Sequence, residues 1–136
     1  MNRAERRRQE RLAKKGATGG APVSTEAAIE GLQSQASEQY RLGRKREALA
    51  TCRRLLSHAP DRPDIHAFAG MVSLEVDDVP GAIRLYRRAV DLRPDYPEAH
   101  YNLGNAYKRS GRGADAAAAY ETALEQRPDL GPAWHN

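Results

Sequence analysis

One spacing governs what this chain can fold into. Ala116, Tyr120, Ala123 and Pro128 recur 34 residues upstream as Ala82, Tyr86, Ala89 and Pro94, and once more as Ala48, Cys52, Leu55 and Pro60. The dipeptide Pro-Asp keeps the same register at Pro60-Asp61, Pro94-Asp95 and Pro128-Asp129. A fixed period of this length means that one supersecondary unit is built several times and stacked. A single copy cannot bury its own apolar face.

The copy from Pro97 to Leu130 shows what the unit is. Leu103, Gly104 and Tyr107 are spaced one, three and four apart, so they share one face of a helix. Ser110-Gly111-Arg112-Gly113 is a helix stop and turn. Ala116, Tyr120 and Ala123 form one stripe of a second helix, which Pro128 terminates. In the copy from Pro63 to Tyr96, the first helix is expected over Pro63 to Val76. Asp77-Asp78-Val79 makes the turn, and Pro80 sits in the first turn of the next helix, where its missing N–H is harmless. Ala69 and Gly70 stand at the positions of Leu103 and Gly104. The first copy is the least regular. A helix is expected over Val23 to Leu42, a turn at Gly43, and a partner helix over Arg46 to Ser57. Gln35 and Gln39 replace Leu103 and Tyr107, which suits a terminal unit with one wetter face.

A 34-residue helix–turn–helix period with small, aromatic and proline positions in register resembles the tetratricopeptide repeat family. The resemblance is best from Pro97 to Leu130 and covers roughly Ile29 to Asn136. It implies an all-α fold, a right-handed superhelix of stacked hairpins. The expected units are about 29–62, 63–96 and 97–130, with a fourth beginning at 131–136, in an array spanning 23–136. Trp134 falls one period past His100 and two past His66. No polar capping helix follows, so the chain is expected to be a piece of a longer protein or to dock on something there.

Charge separates the chain into two parts. Met1 to Gly16 carries seven Arg or Lys and two Glu, a net +5, while the remaining 15 basic and 16 acidic residues sum to −1. This head has good helix formers and an Asn2/Glu5 capping box, but only Ala4, Leu12 and Ala13 are apolar. It can bury no face, so a frayed helix is expected, joined through the small residues Ala17 to Pro22 as a linker. Residues 1–22 are thus read as head and linker. Arg6, Arg7, Arg8 and Arg11 are candidates for a polyanion contact, phosphate-only because no aromatic accompanies them. The simpler role is a solubilising tail. No apolar run approaches the roughly 18 residues that cross a membrane, and no apolar region follows the basic N-terminus as in a signal peptide. A single cysteine, Cys52, fits a reducing compartment, and a cytoplasmic location is expected.

No catalytic constellation emerges. His66 and His100 occupy equivalent positions in neighbouring units, separated by more than a helix diameter of about 10–12 Å. They are too distant to share a zinc ion at about 2 Å and are read as packing residues. Cys52 takes the place of Tyr86 and Tyr120 on a buried stripe and is read as a small hydrophobe. Asp77-Asp78 is a turn pair. No strand precedes a glycine-rich phosphate loop, and no nucleophile–base set is present. Neither metal nor cofactor is expected, and the chain is expected not to be an enzyme.

What remains is a surface. The family resemblance implies that the first helix of each unit lines a concave groove that holds an extended peptide or a partner's helix. The inward positions carried over are Gln33, Ser37, Tyr40 and Arg41 in the first unit. They are Phe68, Met71 and Leu74, with Ala67 and Glu75, in the second, and Tyr101, Asn102, Asn105, Lys108 and Arg109, with Glu98, in the third. Phe68, Met71 and Leu74 recur at three and form an apolar strip, either an anchor for a partner or interior packing. Two sub-patterns of the family fit poorly. The chaperone-tail clamp of lysine and asparagine retains at most Asn102 among Gln33, Ser37, Phe68, Glu98 and Asn102. The asparagine ladder of glycosyltransferase-associated arrays keeps Asn102 but is broken by Ser34 and Phe68. The expected function is therefore a non-catalytic scaffold for a protein or peptide. The alternative is the recognition arm of a larger enzyme, such as a transferase, whose catalytic domain lies beyond Asn136.

Overall fold

The computed structural model describes residues 2–8 and 22–130. Residues 3–8 are helical, and the expected capping box closes. The Glu5 N–H donates to Asn2 Oδ1 at 2.8 Å, and the Asn2 N–H donates to the Glu5 carboxylate at 3.4 Å. The side chains of residues 2–8 are all exposed.

The body is six helices in sequence: α1 (Pro22–Arg41), α2 (Lys45–His58), α3 (Pro63–Glu75), α4 (Val79–Leu92), α5 (Pro97–Arg109) and α6 (Gly113–Gln126), followed by a 3-10 turn at Pro128–Leu130. Among the described residues there is no strand. The fold is an all-α solenoid. Hairpins α1–α2, α3–α4 and α5–α6 stack so that α2 meets α3 and α4 meets α5, while α3 also touches α5. Among the described residues no helix is long and apolar enough to cross a membrane.

Each hairpin turns in the same way. The residues at the hinge are Gly43, Asp77 and Gly111, each one period apart, with φ of 81°, 65° and 80°. The next N–H then donates back across the turn: Arg44 to the Gln39 carbonyl, Asp78 to Ser73 and Arg112 to Tyr107, at 2.8, 2.8 and 2.9 Å. This left-handed cap satisfies carbonyls that a helix end leaves open. The loops between hairpins also repeat. The Nε2–H of His66 donates to the Pro60 carbonyl at 2.8 Å, and that of His100 donates to the Pro94 carbonyl at 2.9 Å. The two histidines are therefore fasteners for the inter-unit loops as well as packing residues.

The cores follow the period. Gly70 lies against the ring of Tyr86 and Gly104 against the ring of Tyr120. A Cβ at either glycine would come within 3.0 Å and 2.7 Å of those rings. In the first hairpin the equivalent pair is Ala36 and Cys52, both buried in one cluster. The larger inner residue goes with the smaller outer one, so the helices of each hairpin approach closely by two routes. Ile29, Leu32, Leu55 and Ile65 extend this interior towards the first unit. Ala82, Ala89, Leu103 and Ala106 extend it towards the third.

Candidate functional site

The inner helices α1, α3 and α5 carry the twelve groove positions, and the structure groups them unevenly. Phe68 on α3 meets the ring of Tyr40 on α1 edge-on, with centroids 5.6 Å apart at 71°. The Tyr40 hydroxyl donates to the Glu75 carboxylate at 3.1 Å, and this acceptor pushes the phenol pKa up from its usual value. Lys45 completes the group, 3.7 Å from Glu75. Phe68 is thus held in place by a neighbour whose own orientation is fixed.

At the third unit Tyr101 lies 5.7 Å from the Tyr120 ring. The Tyr120 hydroxyl passes through to the inner face and donates to the Asn105 side-chain oxygen at 2.5 Å. Burial raises the pKa of Tyr120. Asn102 is half-buried beside these residues. Met71 and Leu74 are half-buried and pack on the interior clusters, so the apolar strip serves partly as core.

The cations of the set stand apart. Arg41 pairs with Glu38 on its own helix at 2.5 Å. Lys108 is exposed. Arg109 turns back to the previous hairpin, where it donates to the Leu74 carbonyl at 2.9 Å and pairs with Asp77. Of the head candidates, Arg6, Arg7 and Arg8 are exposed on the short helix, whereas Arg11 lies outside the described residues. The expected fourth unit at 131–136 also lies outside them.

Gln33 and Ser37 meet Phe68 around a cavity of about 230 Å³, whose wall includes Cys52, Asp64 and Ile65. The cause is the outer-helix substitution. A tyrosine ring fills the equivalent place in the other two hairpins, and Cys52 leaves it open. Cys52 is 1% exposed, and burial pushes its thiol up to about 11, away from the reactive thiolate. Asp64 and Ile65 were not among the expected groove residues. Their signal was present, however, because both precede Phe68 by one helical turn. Among the described residues no group of three or more His, Cys, Asp or Glu could hold a metal ion.

Comparison with known proteins agrees with this geometry. Residues 77–111 match a family model described as TPR repeat, and residues 97–130 match one described as Tetratricopeptide repeat. The chain belongs to the tetratricopeptide repeat family. No curated protein matches its sequence. Among solved structures, a mutant of the Thermobaculum terrenum O-GlcNAc transferase aligns at 36% identity with a TM-score of 0.70. That alignment covers 77% of this chain and 20% of the transferase, so the chain spans about one fifth of that relative's length. MamA aligns at 21% identity and a TM-score of 0.72, over 94% of this chain and 76% of that one. The first TPR of Spaghetti (RPAP3), solved with HSP90 peptide SRMEEVD, aligns at 20% identity and a TM-score of 0.72, over 75% of this chain and 81% of that one. At these identities the last two show the tetratricopeptide fold alone.

Proposed function

We propose that this tetratricopeptide array is a non-catalytic scaffold that binds a protein or peptide segment along its inner face. The observation that carries the reading is the clustering of Tyr40, Phe68 and Glu75 beside the cavity at Gln33 and Ser37. A rigid aromatic edge next to a side-chain-sized hollow is the arrangement that binding hot spots use. The cavity is below the roughly 300 Å³ at which drug-sized ligands start, so it suits one side chain of a longer partner. The Spaghetti domain, whose structure holds a peptide, supports the same use of the fold. Phe68→Ala combined with Tyr101→Ala tests it. Peptides selected from a random display library on the parent should lose about tenfold or more in affinity for the double variant, with helical circular dichroism retained. Equal affinity would remove the groove from the proposal.

A second reading has one observation in its favour, the 36% identity to a stretch of an O-GlcNAc transferase. In this reading the array is the recognition arm of a larger enzyme. Sequencing the transcript beyond the codon for Asn136 decides between the two, because an in-frame catalytic domain would favour the second.

A further inference from the structure

A second cavity, of about 260 Å³, opens between α2 and α4 with α3 as its floor, and shares no residue with the inner-face set. Arg53 from α2 and Arg84 and Arg88 from α4 line it, together with His66, Ser73 and Asp78. We propose that this cleft binds a phosphate group.

Three observations lead there. The first is charge. Arg84 and Arg88 are one turn apart on the same helix, a like-charged spacing that costs stability unless something compensates. Arg88 is 3.5 Å from Asp61, and both side chains are largely exposed. Among the described residues neither Arg53 nor Arg84 has an acidic partner within ion-pair distance. The Asp78 carboxylate in the wall accepts from the Gly81 N–H at 3.1 Å and is engaged as the α4 cap.

The second is a pair of orphaned polar atoms. His66 is 8% exposed and Ser73 is 0% exposed, yet His66 Nδ1 and Ser73 Oγ have no hydrogen-bond partner. Leaving such atoms unmatched costs about 1–3 kcal/mol each, so native proteins rarely do so without a ligand or water. The cleft has room for either, since a water occupies about 30 Å³.

The third is an internal control. The same cleft recurs one period later between α4 and α6, at about 250 Å³. There Arg87 shares the lining with Asp91 and Asp115, and Tyr107 replaces Ser73. The fold therefore makes the hollow, but only the first copy makes it cationic and lines it with two residues that hold unmatched buried polar atoms.

The donor and acceptor pattern selects the anion. His66 gives its Nε2–H to the Pro60 carbonyl, so neutral His66 presents Nδ1 as an acceptor. The guanidinium groups and the Ser73 hydroxyl donate. A ligand that satisfies all of them must carry several anionic oxygens and retain one proton. Hydrogen phosphate does at neutral pH, and a phosphate monoester does in its monoanion, the minor form above its second pKa of about 6, whereas sulfate and carboxylates are fully deprotonated there.

Calorimetric titration of the full chain with inorganic phosphate, O-phosphoserine and sulfate at matched ionic strength tests this. One of the two phosphate probes should saturate a single site more tightly than sulfate, and the tighter of the two names the source. Arg53→Gln with Arg84→Gln should weaken that binding about tenfold or more, and Ser73→Ala by a smaller factor, while Arg46→Gln with Arg54→Gln elsewhere on α2 changes it less than about twofold. Both cleft arginines are exposed, so the variants should keep the parent's helical signal. If the double variant fails to fold, Ser73→Ala carries the test. No saturable phosphate binding, sulfate binding equally well, or an equal loss in the control pair would each overturn the proposal.

Discussion

Arg109 reaches back 32 positions to clasp Asp77, the one non-glycine residue of the described chain with a positive φ. The two neighbouring turns have glycine at this place, which tolerates the left-handed conformation without strain. Asp77 instead occupies it at some cost, and its carboxylate joins the second unit to the third. Asp77→Asn keeps a side chain that tolerates this conformation but removes the charge, and should cost about 0.5 kcal/mol, as exposed pairs do. Asp77→Val should cost more, about 1–2 kcal/mol, from the backbone. Arg109→Ala also strips the Leu74 carbonyl of its donor and should cost about 0.5–1.5 kcal/mol. Urea melts of the three variants check the order, and a double-mutant cycle should give a coupling of about 0.5 kcal/mol.

Stability should fall in alkali, and Cys52 should be a principal cause. Burial raises its pKa from 9.0 to about 11 in the folded chain. The folded state therefore holds the proton after the unfolded state has released it. The stability linked to this group is complete below pH 9 and is lost as pH rises towards 11, amounting to about 2–3 kcal/mol for a shift of two units. Cys52→Ala should flatten the stability curve between pH 9 and 11. Chemical melts at several pH values measure the slope. The same burial should make the native thiol at least about a hundredfold slower towards a disulfide reagent than in the unfolded chain.

The repeat itself was legible because packing imposes it. Tyr86 and Tyr120 need a glycine opposite, and the two substitutions travel together in sequence as they do in space. The replacement of Tyr by Cys52 was visible too. Its consequence, a hollow beside Phe68, needed the stacking of α1 on α3 to be known. The inter-unit fasteners were half legible. Pro60 with His66 and Pro94 with His100 repeat at a spacing of six, a signal that marked the histidines as equivalent without giving their acceptor. The ties from Arg109 to Asp77 and from Tyr40 to Glu75 join residues more than 30 positions apart. They depend on the angle between successive hairpins, which no local pattern encodes. The same holds for the arginines of the outer cleft, which come from two helices 31 or more positions apart.

The basic head is expected to add a salt-sensitive hold on polyanions. Arg6, Arg7 and Arg8 are exposed on the short helix at residues 3–8, where phosphates or sulfates would meet them. Deleting Met1 to Gly16 removes five net positive charges and leaves a near-neutral body. The truncated chain should elute from heparin at a clearly lower salt concentration. Identical elution would mean that the head only keeps the array in solution.

The contact between Gly104 and Tyr120 offers a sharper test of how the hairpins close. A Cβ at Gly104 would lie 2.7 Å from the ring, closer than side-chain carbons approach, so ring or helix must move. Gly104→Leu should cost about 1–3 kcal/mol through overpacking, and Gly104→Ala somewhat less. Tyr120→Cys alone removes a large half-buried ring and the bond to Asn105, and should cost about 1–3 kcal/mol. The first hairpin already runs on Ala36 and Cys52, however, with both side chains buried. Gly104→Ala with Tyr120→Cys transplants that solution into the third hairpin. The alanine that clashes with a ring fits once the ring is gone, and its methyl refills part of the space. The double variant should therefore be more stable than the sum of the single changes predicts, by about 1 kcal/mol. Strict additivity in urea melts would mean that each hairpin closes independently of what its inner and outer residues are.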